Sequence, residues 1–219
     1  MPPFGESLLA VALLLLAVVT LLERRLVRAC IGFVLFALTV ALAWARLGLV
    51  WLALLELVLG AVLTGAFLFH ALGVSLQARP RGGRRYDPEP LACRPALACL
   101  LPAAAVPTLI GVALVAQEVS LLDALRPAGL GLLGAGLWAF SLHRHLLRRL
   151  LAFNVIGTGI FLLLMSLAGD GARAAAHGLV ISGLLVALLG TALGALLIRR
   201  LEDLEPPGAA ASAHGDGAP

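Results

Sequence analysis

Lysine is absent from this chain: all sixteen basic side chains are arginine. Acids are few, twelve in 219 residues, so charged residues make up 13% of the chain, against about a quarter in soluble globular proteins. Charges this sparse, scattered between apolar runs, cannot form a continuous phosphate-binding face, which excludes nucleic acid as a partner despite a sequence pI near 9.8. The three cysteines, Cys30, Cys93 and Cys99, form no CxxC pair, so no disulfide framework, zinc site or cluster site is expected. The chain also lacks a Walker loop, a GxGxxG in a suitable context and any nucleophile-base pair. No catalytic residue, cofactor or metal is expected, and the reading is of a protein that is not itself an enzyme. His143 and His145 lie among arginines without carboxylate partners, a poor setting for a metal.

What is abundant is apolar sequence. Hydrophobic residues make up 61% of the chain and the mean hydropathy is +1.04, which places the protein in a bilayer. The N-terminus, Met1-Pro2-Pro3-Phe4-Gly5-Glu6-Ser7, has no positive region of the kind that opens a signal peptide. The run that follows ends in Glu23-Arg24-Arg25, so it reads as a retained first helix.

Apolar runs bounded by charge fall at about 8–22, 26–45, 48–76, 96–116, 128–142, 146–168 and 174–198. Hydrocarbon offers no water to unpaired amides and carbonyls, so helix is the conformation open to such runs. The expected fold is therefore all-α and polytopic, with about seven transmembrane helices. Arginine marks the ends. Thirteen of the sixteen follow the first, third, fifth and seventh spans, whereas Arg46, Arg126 and Arg173 lie on the other side. Because cytoplasmic loops retain positive charge, the N-terminus is expected outside and the C-terminus in the cytoplasm of a cell membrane. The 77–95 stretch, rich in Arg, Gly and Pro, reads as a cytoplasmic connector, and the tail 206–219 as disordered. Trp44 and Trp51 flank the outer turn, where an aromatic belt would lie, and Trp138 reads as packing. Pro102 and Pro107 fall inside the fourth span, as kinks or as tolerated prolines.

An ionisable group at membrane depth costs at least about 2.5–3.5 kcal/mol on insertion scales, so it is a functional candidate by default. One acid qualifies. Glu56 lies about eight residues into the third span, roughly 12 Å from its outer end. It reads either as a proton-exchanging carboxyl on an ion path or as a helix cross-link through one hydrogen bond. His70, fourteen residues later, falls within about 40° of the same helical face and either extends such a path inward or sits at the interface. Thr64 lies off to the side. In the sixth span Asn154, Gly157, Thr158 and Gly159 form a polar, small-residue stripe suited to close helix packing, with Ser182 and His177 of the seventh as weaker members.

Two stretches resemble pieces of ion-pumping membrane complexes. From Leu21 to Leu72, the sequence Leu-Leu-Glu-Arg-Arg-Leu-Val-Arg-Ala precedes a span, then Arg46-Leu47-Gly48 and Leu52-Ala53-Leu54-Leu55-Glu56-Leu57-Val58-Leu59-Gly60-Ala61. This resembles the three-helix MbhD-type domain of membrane-bound hydrogenases, which also forms the C-terminal part of the large subunit of Mrp-type cation/proton antiporters. Its usual pattern is A-P-D-V-A-L-T-E-A-x-V-G-A. Here Val50-Trp51 stand where the pattern has Pro-Asp, and Leu55 where it has Thr, while the intramembrane Glu maps to Glu56. From Gly129 to Glu202, the stretches Phe140 to Asn154, Gly178 to Gly183 and Gly190 to Gly194 look like the small three-helix subunit of Mrp antiporters, which is related to a three-helix subunit of respiratory complex I. Asn154 stands where complex I has a membrane Glu, and apolar residues replace a second, which implies a packing partner.

The resemblance implies a 3 + 1 + 3 organisation: an MbhD-like unit over 1–76, a connector and linking helix over 77–127, a unit like the small three-helix Mrp and complex I proteins over 128–205, and the tail. It also implies a role as one membrane subunit of a sodium/proton antiporter or hydrogenase-type complex, with other membrane subunits and lipid as partners. One buried acid and no lysine are too few for a complete antiporter. The alternatives are an unrelated seven-helix transporter and a purely structural subunit.

Overall fold

In the computed structural model the described residues are 4–72, 121–143 and 145–204. They form α1 (Phe4–Leu22), α2 (Leu26–Arg46), α3 (Val50–Ala71), α4 (Leu121–Leu142), α5 (Leu146–Leu167) and α6 (Arg173–Leu204), with a 3₁₀ turn at Asp170–Ala172 before α6. No strand occurs among the described residues. Five helices, α2 to α6, are long and apolar enough to cross a membrane; the apolar part of α1, Leu8–Leu22, is shorter. A 22-residue α-helix such as α5 is about 33 Å long, a match to a hydrocarbon core of about 30 Å. The expected fourth span, the 77–95 connector and the tail lie outside the described residues.

Local chemistry accounts for the turns. Gly48, at φ +78°, follows α2 in a left-handed conformation that a side chain would strain. Its N–H donates to Ala45 O (3.0 Å) and that of Leu49 to Trp44 O (2.9 Å), closing α2 in the six-to-one, five-to-two pattern of a Schellman motif. At the start of α5 the His145 ring Nδ1 accepts from Leu147 N (3.2 Å), as a Ser or Asp cap would. Helix α4 begins at Leu121, seven residues before the apolar run, because Asp123 and Arg126 break the hydropathy signal without breaking the helix; Pro127 lies inside it.

The helices close on one another: α1 packs on α2 and α4, α2 on α3, α3 on α6, α6 on α5 and α5 on α4. The core is a single apolar cluster running from Leu13 and Phe36 to Leu132, Leu151 and Leu162, with Trp44 1% exposed within it. Trp44 is therefore a core residue and not part of an interfacial belt, on the buried face of α2, while Trp51 is 81% exposed. Leu42, Val62, Leu130, Val186, Leu189 and Leu193 all face outward, the reverse of a water-soluble surface and the pattern of a bundle solvated by lipid.

Glycine brings α4 and α5 closest. A Cβ on Gly159 would lie 2.9 Å from Gly129 O and 2.9 Å from Leu133 N, and one on Gly136 would lie 3.2 Å from Ala152 O. Backbone-to-backbone approach of this kind needs residues without side chains. Gly157 has nothing within 4 Å of that position, so only part of the small-residue stripe serves the seam.

Interhelical bonds assign the helix ends. Arg148 at the start of α5 reaches the end of α1, and Arg199 at the end of α6 meets His70 at the end of α3. Arg126 near the start of α4 donates twice to Ser166 O at the end of α5, at the opposite pole. The described chain thus leaves α3 at the arginine-rich end and resumes in α4 at the other.

Candidate functional site: a buried carboxyl in α3

Glu56 is 4% exposed. Because the Gly48 turn delays the start of α3 to Val50, the residue sits about 9 Å along the helix, shallower than hydropathy alone suggests. From Glu56 to Leu63 the backbone winds as a π-helix, between α-helical turns at Val50–Leu55 and Thr64–Ala71. Such wide turns are rare and recur at functional sites. The Thr64 hydroxyl closes the stretch, donating to Leu59 O at 2.7 Å.

The carboxyl occupies space that Gly60 leaves open. A Cβ at Gly60 would lie 2.5 Å from Glu56 Oε1 and 3.1 Å from its carboxyl carbon, with Ala37 Cβ of α2 at 3.7 Å. Glu56 therefore lies along its own helix against the α2–α3 seam, with a glycine and an alanine as its floor. No hydrogen bond to the carboxyl is present among the described residues. An acid so placed can hold one proton or share a monovalent cation, and water or a cation entering the seam would find it without competition from a fixed partner.

Thr64 is buried, 3% exposed. His70 is exposed at the far end of α3, where its ring accepts from Arg199 Nη1 (2.6 Å to Nε2). A guanidinium only donates, so this contact uses the ring as acceptor. The structure does not bring His70 to Glu56. The rotation of 100° per residue that aligned them applies to an α-helix and fails across the π-wound stretch.

The second polar group is a packing device. Asn154 Nδ2 donates to Thr191 Oγ1 (2.9 Å) and to Leu150 O (2.9 Å), and Thr191 donates to Ala187 O (2.8 Å), which ties α5 to α6. Thr158 donates to Asn154 O (3.2 Å) within α5. Ser182 is exposed and donates to Leu179 O of its own helix, so it does not join the network; the partner is Thr191, nine residues further on.

Arg148 has a role that counting arginines by side had missed. It is 4% exposed, and its Nη1 donates to Glu23 O (2.5 Å) and its Nη2 to Arg24 O, carbonyls of the turn that joins α1 to α2. His143 Nε2 contacts Leu21 O at 3.1 Å from the end of α4. His143 thus contacts one of the last carbonyls of α1, while Arg148 holds the turn that follows and places its positive charge near the negative pole of the α1 dipole. A basic residue at the head of α5 was the visible signal, but hydropathy treated it as a topological marker. Among the described residues no three His, Cys, Asp or Glu side chains converge as a metal site would require. Cys30 is buried near the start of α2 and forms no disulfide among the described residues; Cys93 and Cys99 lie outside them.

No protein-family model, curated protein or solved structure matches the chain.

Proposed function

We propose that the protein is a membrane subunit of a multisubunit cation/proton antiporter, of sodium/proton type, or of a related hydrogenase-type ion-translocating complex, and that Glu56 lies on its ion path. The observation that carries this reading is the buried Glu56 carboxyl, held over Gly60 in a π-wound stretch with no fixed hydrogen-bond partner among the described residues. The resemblance of Leu21 to Leu72 to MbhD-type domains supports the same residue. The Asn154–Thr191 bond and the α4–α5 glycine seam favour a packing role for the C-terminal three-helix unit. In this reading the chain has seven spans in a 3 + 1 + 3 order, its N-terminus outside and its arginine-rich end in the cytoplasm. Large antiporter-like subunits supply the remaining ion-coupling groups.

Replacing Glu56 by Gln tests the role with little change in shape. In the reconstituted parent complex Glu56→Gln should abolish or strongly slow proton or sodium flux while leaving assembly intact. Normal flux in a normally assembled complex would remove Glu56 from the path and leave the alternative, a subunit that only braces its neighbours.

A further inference from the structure

At the arginine-rich end, α4, α5 and α6 leave a cleft of about 300 Å³ between them. Its walls are apolar: Phe140 from α4, Leu146, Leu150 and Phe153 from α5, and Leu197 from α6. Leu150 lies across Gly194, its Cδ1 3.1 Å from where a Cβ would be, so the missing side chain makes the floor. The volume is at the lower end of the range for small-molecule sites, about 300–1,000 Å³.

One charged residue lines this space. Arg149 Nε donates to Phe140 O (3.2 Å), and its guanidinium carbon sits 5.2 Å from the centre of the Phe140 ring. The two contacts fix the guanidinium, while its terminal amino groups have no hydrogen-bond partner among the described residues. Arg149 is the fourth residue of α5, so in a bilayer spanned by α5 it would lie near the headgroups, with Phe153 about 6 Å deeper. Positive charge at the rim and an apolar slot running inward match the two halves of a phospholipid. A partner helix fits less well, because the α5 wall from Leu146 to Phe153 is only about 10 Å long whereas a spanning helix presents about 30 Å.

We infer that this cleft is a binding site for an anionic phospholipid, the phosphodiester held by Arg149 and an acyl chain lying between Phe153, Leu150 and Leu197. The site depends on the bundle being in a bilayer and is independent of Glu56 and of any ion path.

The test uses the full chain reconstituted in phosphatidylcholine bilayers, with spin-labelled phosphatidylglycerol or spin-labelled phosphatidylcholine as probe and the motionally restricted fraction as readout. The wild-type protein should retain phosphatidylglycerol in preference to phosphatidylcholine. Arg149→Gln should reduce that preference about fivefold, Arg149→Lys should keep most of it, and Arg28→Gln, which removes the same charge at the same end outside the cleft, should leave it unchanged. Leu197→Trp, on the exposed side of α6, should block the slot with Arg149 intact and lower retention of phosphatidylglycerol to the phosphatidylcholine level. Equal retention of the two lipids by the wild type would overturn the proposal. So would equal losses in Arg149→Gln and Arg28→Gln, which indicate surface charge alone, or displacement of the probe by millimolar inorganic phosphate, which indicates a simple anion site.

Discussion

Arg148→Met removes the clamp between α5 and the end of α1 while keeping an apolar stem of similar length. The native guanidinium makes two hydrogen bonds to the Glu23 and Arg24 carbonyls from a position 4% exposed. Hydrogen bonds to a charged group contribute about 1.5–3 kcal/mol each, so two are worth about 3–6 kcal/mol. Methionine needs no desolvated charge, and relief of that penalty offsets part of the loss. The net destabilisation should be about 2–4 kcal/mol, measured by reversible unfolding in mixed micelles with increasing dodecyl sulfate and followed by helical circular dichroism. Arg148→Lys should recover about half, since an ammonium is a point donor that cannot span two carbonyls as a planar fork does. Arg149→Met, one residue away and exposed, should cost under about 1 kcal/mol. A loss below about 1 kcal/mol for Arg148→Met, or equal losses at 148 and 149, would refute the clamp and show that the Glu23 and Arg24 carbonyls do not need it.

Asn154→Leu and Thr191→Val should each lower stability by about 1–2 kcal/mol in the same titration, and the double substitution should cost clearly less than their sum because both remove one interhelical bond. Gly159→Ala should destabilise by about 1–3 kcal/mol, since its new Cβ meets backbone of α4, whereas Gly157→Ala should be neutral or stabilising by up to about 1 kcal/mol. Opposite ranking of the two glycines would contradict the seam. Gly60→Ala should displace the Glu56 carboxyl and impair ion flux in the parent complex with the acid still present; flux equal to wild type would show that its seat over Gly60 is dispensable.

The spans were legible because hydropathy over about twenty residues is a local sum. The runs at 26–45, 128–142 and 146–168 match α2, the later part of α4, and α5 to within a few residues at their shared ends. The misjudged start of α4 shows the limit: Asp123 and Arg126 lower hydropathy, yet a helix end at the bundle pole tolerates charge. Glu56 was legible too, as the one acid deep in an apolar run. The surroundings of that acid were not, since no residue type announces π winding, and a 100° step per residue does not hold through it. Thr191 went unmarked for a similar reason. A threonine in an apolar helix usually bonds its own i−4 carbonyl, as Thr191 does with Ala187, and its second bond depends on a helix 37 residues away.

Sequence alone determined that the chain is helical, that most of its helices suit a bilayer, and that its arginines fall into two groups by helix end. Those properties follow from composition within one segment and from the order of segments. Tertiary structure decided which charges act as contacts. Arg148 and Arg149 are adjacent and identical in type, yet one holds the carbonyls of the α1–α2 turn and the other lines an apolar cleft, because a step of one residue turns a side chain about 100° around the α5 axis. The facing helix then determines the environment each one meets.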